Sequence, residues 1–91
     1  LYRENVPRLS EFYGIVIYMY FGDHNPPHFH AIYGESEALV RIEDGLLVRG
    51  ELPRTAAGLV ERWRVLHQRE LTENWQLAQT PAALSAIDPL Q

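Results

Sequence analysis

The chain has 91 residues, a formal net charge of −4 and no cysteine. That length suits a single small domain spanning 1–91, whose core buries roughly 60–65% of the unfolded surface. Disulfides, thiolate-bound zinc and a cysteine nucleophile are ruled out, and 46% apolar against 22% charged residues is a globular balance.

No apolar run approaches the roughly 18 residues of a membrane span, and no basic-then-apolar leader opens the sequence. The expectation is a cytoplasmic protein with no membrane partner. All eight basic residues are arginines. The acidic balance argues against bulk attraction to nucleic acid but permits a local arginine patch.

Four stretches read as strands. Residues 12–21 are β-branched and aromatic and end at Gly22; the two prolines of Gly22–Pro27 mark a loop. Residues 28–33 alternate, with Phe29 and Ala31 on one face and His28 and His30 on the other. In 37–43, Ala38, Val40 and Ile42 share a face; in 46–52, Leu46 and Val48 are expected inward and Leu47, Arg49 and Glu51 outward. Residues that oppose each other in an antiparallel pair share a face. A three-residue loop Glu43-Asp44-Gly45, with Gly45 left-handed, then sets Ile42 opposite Leu46 and Val40 opposite Val48. An even loop after Tyr33, either Gly34-Glu35 or Gly34 to Glu37, puts Phe29 and Ala31 beside Ala38 and Val40. Gly14 inside a strand marks a bulge or close packing against an aromatic ring.

Pro53 suits the first position of a helix. Ala56, Leu59, Val60, Trp63 and Leu66 recur at helical spacing, with Glu61, Arg62 and Arg64 outside, and the pattern resumes at Leu71, Trp75 and Ala78. A single helix over 53–79 would run about 40 Å, longer than strands of about 20–25 Å. A break near His67–Leu71 is therefore expected, giving one kinked helix or two. Thr80-Pro81 closes the helical half, and Leu84, Ile87 and Leu90 of the tail are free to pack. The fold class is α+β: an antiparallel sheet of about four strands with helices on one face and irregular termini.

Three of the four histidines lie in Asp23-His24-Asn25-Pro26-Pro27-His28-Phe29-His30. Two histidines at i and i+2 of a strand leave the same face, the way a sheet presents two nitrogens to one metal ion; His24 or Asp23 from the loop would be the third ligand, with a divalent metal as cofactor. Alternatively His28 and His30 act as acid and base for phosphodiester cleavage, with Arg41 stabilising charge. Parity places Arg41 and Arg49 on their face, and Tyr18 and Tyr20 share it if the first strand turns its aliphatic face to the core; there Asp23, His24, Tyr18, Tyr20 and Arg49 would bind RNA or a nucleotide by stacking and charge. The plainest alternative is structural: Asp23-His24 ties down the loop, and Glu37, Glu43 and Glu51 pair with arginines. His67, Trp63 and Trp75 read as packing residues.

Phe12–Tyr20 (FYGIVIYMY), followed by Asp23–Tyr33 (DHNPPHFHAIY), closely resembles the signature of a bacterial family, domain of unknown function 4160. Gly50–Pro53, Trp63–His67 and Glu70–Trp75 extend the resemblance over roughly Leu9 to Leu90. The family supplies no established reaction, cofactor or catalytic residue. Its members are small stand-alone proteins often encoded beside another small domain of unknown function. The resemblance thus implies a module that binds a small protein partner, one component of a toxin–antitoxin-like pair, with homo-oligomerisation as a further expectation. Geometry separates the readings. Imidazole nitrogens converging within about 4 Å indicate a metal, a nucleotide-sized cleft between them indicates catalysis, and burial under another segment indicates an interface.

Overall fold

The computed structural model describes residues 7–91. Five strands, β1 (Arg8–Phe12), β2 (Ile15–Tyr18), β3 (His28–Tyr33), β4 (Ser36–Arg41) and β5 (Leu47–Gly50), precede two helices, α1 (Arg54–Leu66) and α2 (Gln68–Ala78). The strands form one antiparallel meander in the order β1-β2-β3-β4-β5.

The stretch 12–21, expected as one strand, is folded differently. Phe12 pairs with Ile15 across a two-residue turn in which Tyr13 (φ 51°) and Gly14 (φ 80°) are both left-handed. That is the backbone of a tight hairpin turn matching the right-handed twist of its strands. Gly14 marks a turn and not the bulge expected as one alternative, while the other alternative holds: a Cβ there would lie 3.4 Å from the Tyr33 ring.

The loop after Tyr33 is Gly34-Glu35, pairing Tyr33 with Ser36, Ala31 with Ala38 and Phe29 with Val40. The β4–β5 connection departs from expectation by one residue. Gly45 is left-handed as required, but Val40 opposes Leu47 and Leu39 opposes Arg49, so Val48 lies in the bulge between them. Leu46 and Val48, expected inward, are exposed.

The core side of the sheet carries Ile15, Ile17, Met19, Phe29, Ala31, Ala38, Val40 and Ile42, packed against Ala56, Val60, Trp63, Leu71, Trp75 and Ala78. Trp63 is fully buried, with its ring 5.4 Å from Phe12 and 5.6 Å from Phe29. The helical half breaks at His67, as the length argument requires. Leu66 faces solvent instead of extending the apolar stripe, and Arg64, expected outside, is buried. The Arg64 Nη1 donates to the Ile42 carbonyl (2.8 Å) while Nε and Nη2 clasp Glu61 (2.9 and 2.6 Å). This meets the need of a buried guanidinium for several acceptors.

The tail closes the core. Ile87 and Leu90 are buried and Leu84 is partly so. Asn74 exchanges two 2.8 Å hydrogen bonds with the Ser85 backbone, the Trp63 indole donates to Asp88 O (2.9 Å), and Ile87 N donates to Leu9 O (2.8 Å).

Candidate metal centre

Strand pairing sets His28 opposite Arg41 and His30 between Tyr18 and Leu39, with Leu39 opposite Arg49. The shared face of His28, His30, Tyr18, Arg41 and Arg49 is thus as parity predicts. Its exposure is not: His28 and His30 are 4% and 8% accessible. The β2–β3 connection folds over them, Tyr20 stacks on His30 (4.3 Å between centroids, 15° between planes), and Trp75 of α2 lies 5.3 Å from the His28 ring. A period-2 pattern specifies the face of a strand but not what a loop lays across it.

Each ring nitrogen has an oxygen partner. For His28, Nδ1 lies 2.8 Å from the Pro26 carbonyl and Nε2 3.0 Å from Asp23 Oδ2. For His30, Nδ1 lies 3.1 Å from Glu37 Oε2 and Nε2 3.2 Å from the same Asp23 Oδ2. A carbonyl oxygen only accepts, so His28 Nδ1 carries hydrogen, and Glu37 makes the same demand of His30 Nδ1. In the neutral tautomers both Nε2 lone pairs then face one carboxylate oxygen, an arrangement that needs a positive charge among the three atoms. Nδ1–H anchored on a carbonyl or carboxylate with Nε2 free to ligate is the usual outer-shell pattern of metal-binding histidine.

Among the described residues, Asp23, His28 and His30 form a group whose donor atoms lie within 4.8 Å of one another. Ligand atoms about 2.0–2.1 Å from a tetrahedral ion are themselves about 3.3 Å apart; the two Nε2···Oδ2 distances, 3.0 and 3.2 Å, are close to that value. Burial pushes the Asp23 carboxyl up. The His24 backbone N–H (2.8 Å to Oδ1) and the two nearby imidazoles outweigh it and hold the group below the ordinary carboxylate range.

The other sequence candidates lie around this group. His24 is exposed, and its backbone N–H, bonded to Asp23, ties it to the site. Arg41 forms a two-pronged ion pair with Asp44, Arg49 is exposed on β5, and Tyr18 is half-buried opposite His30. The two imidazoles, 5.2 Å apart, share a carboxylate oxygen instead of flanking a nucleotide-sized cleft. The residue that pattern reading undervalued is Glu37. It sits diagonally from His30 on the same face, within reach of a long side chain, and register supplies that signal. The Pro26 carbonyl has no sequence signal, because it is main chain.

The fold and site together define a small α+β meander with a His₂Asp cluster whose histidines are buried and whose Asp23 is half-buried. The chain belongs to the family described as Domain of unknown function (DUF4160), whose model matches residues 14–76, a stretch that contains all three cluster residues. No curated protein matches the chain, and no solved structure does. Among the described residues, no helix is long and apolar enough to cross a membrane.

Proposed function

We propose that this protein is a metal-binding module in which Asp23 Oδ2, His28 Nε2 and His30 Nε2 hold one divalent transition-metal ion. The observation that carries the reading is the convergence of both Nε2 atoms on one carboxylate oxygen while both Nδ1 atoms are tied to oxygen acceptors. A single cation satisfies both lone pairs and the carboxylate together. Imidazole and carboxylate donors suit zinc, nickel or cobalt better than calcium or magnesium. The ion would tie the β2–β3 loop, through Asp23, to the first residues of β3.

Metal analysis of protein purified without an affinity tag tests this, together with zinc titration calorimetry on the wild type and on His28→Ala, His30→Ala and Asp23→Asn. Near-stoichiometric binding lost in all three variants is the expected result; a wild-type chain that takes up no zinc, nickel or cobalt overturns it.

A second reading, a module that docks a small protein as half of a toxin–antitoxin-like pair, is favoured by β5. This edge strand exposes Leu47 and Val48, with Leu46 exposed just before it, and an open edge with apolar side chains is a template for strand addition. Co-expression with the product of a neighbouring gene tests it. A stable complex broken by Val48→Lys supports the docking role, and the absence of any complex removes it.

A further inference from the structure

We infer that the metal centre is open, and that its remaining coordination position takes an exchangeable water which a small anionic donor displaces. This rests on the metal-binding reading above and deepens it by naming the ligand class. Zinc-type ions in closed structural sites have four protein ligands, whereas three protein ligands leave a position for solvent or substrate. Among the described residues three donors converge.

The nearest other oxygens are engaged elsewhere. Asp23 Oδ1 accepts the His24 N–H, Glu37 Oε2 faces His30 Nδ1, and the Pro26 carbonyl accepts from His28 Nδ1. Tyr20 lies flat against His30 and presents its ring face there. Access is one-sided: the imidazoles are 5% and 10% exposed as side chains, whereas the Asp23 carboxylate is 22% exposed. The open position therefore lies on the loop side, beside Asp23. A divalent ion with one carboxylate ligand keeps one positive charge in its own shell, the Glu37 carboxylate lying one imidazole further out on His30 Nδ1, and an anionic donor is drawn to the ion itself.

The alternative is closure by His24, which is exposed in the same loop and next to Asp23 in sequence. Cobalt(II) reports the difference, because its visible absorption follows coordination number and ligand type. The experiment loads the wild type and His24→Ala with one equivalent of cobalt(II) and titrates each with azide. Saturable spectral changes with similar half-saturation in both proteins are expected. Cobalt uptake with a wild-type spectrum indifferent to azide overturns the open centre while leaving the metal-binding reading intact; a response gained only in His24→Ala would identify His24 as the fourth ligand. Failure to take up zinc, nickel and cobalt alike overturns both.

Discussion

The Nδ1 of His28 lies 2.8 Å from the carbonyl oxygen of Pro26, two residues before it. The chain thus fixes the ring's tautomer and its orientation with its own main chain. His30 has no such local anchor and relies on Glu37 of β4. The two ligands of the proposed centre are therefore held by different means, and they differ in what a mutation can disturb.

Glu37→Ala removes the oxygen facing His30 Nδ1 and leaves the three donors in place. Loss of an outer-shell partner typically weakens metal affinity about 10–100-fold. A chelator-competition titration should show that loss for zinc, with an unchanged far-ultraviolet circular dichroism spectrum. Affinity within twofold of wild type would mean that Glu37 does not orient His30.

Binding to the folded state alone raises stability by mass action, about 2.7 kcal/mol at a free-ligand concentration of 100 Kd. Thermal unfolding should shift upward as zinc is added to wild type and stay fixed for Asp23→Asn. The carboxamide keeps the shape of the loop residue but loses the anionic ligand. Equal shifts in both proteins would place the bound zinc elsewhere.

The antiparallel sheet and its core face were legible because alternation imposes them, and the helical break because one helix would outrun the strands; the β1-β2-β3-β4-β5 order was not, since alternation says nothing of which strands are neighbours. The Ala38, Val40 and Ile42 face and an even loop after Tyr33 follow from alternation and parity; the Tyr33–Ser36 pair selects Gly34-Glu35 over the longer choice. What escaped was set by tertiary detail. The Tyr13-Gly14 turn hides inside a continuous apolar run, where both flanking strands look like one. The β5 register departs from expectation only on the turn side of a bulge, where Leu47 in place of Val48 opposes Val40; beyond it Arg49 and Gly50 keep the partners that parity gives them. Arg64 reads as a surface residue until the Ile42 carbonyl and Glu61 are seen around it. For the site, the sequence gives the donors and their common face; the Asp23–Pro27 loop that buries them makes its decisive contact through a main-chain oxygen.

Gly50 ends β5 with φ 73°, and a Cβ there would collide with the Glu37 carbonyl oxygen of the neighbouring strand. Gly50→Ala therefore meets both a left-handed backbone, about 1–2 kcal/mol for an L-residue, and a clash with main chain that no rotamer relieves. Urea unfolding should show a loss of at least about 2 kcal/mol. Gly22→Ala shares the positive φ but meets nothing within 4 Å, so it should lose only the backbone part. Equal losses in the two variants would remove the clash from the account.

Asn74 is buried and holds Ser85 by both backbone groups. Asn74→Ala should cost about 1–3 kcal/mol, the range for a buried polar contact removed, and should expose the tail after Thr80 to limited proteolysis while the sheet stays protected. Cleavage at the wild-type rate would show that Ile87, Leu90 and the Trp63–Asp88 bond hold the tail without the clamp.

Asp44 gives the acid limb of stability a definite sign. The Arg41 guanidinium hydrogen-bonded to it, followed by the Leu46 backbone N–H, lowers its carboxyl from 3.8 to about 2 against the opposing pull of desolvation. The folded state then binds fewer protons than the unfolded chain between those two values, so stability rises with pH across that window. The contribution is complete above about pH 4 and fades as pH falls through about 2. Asp44→Asn keeps an oxygen for Leu46 N–H but removes the charge. Urea midpoints measured from pH 2 to 5 should therefore rise less steeply in the variant than in the wild type, with the gap widening up to about pH 4 and constant beyond. Parallel curves over the whole range would mean that the Arg41–Asp44 pair is as open to solvent in its energetics as in its position.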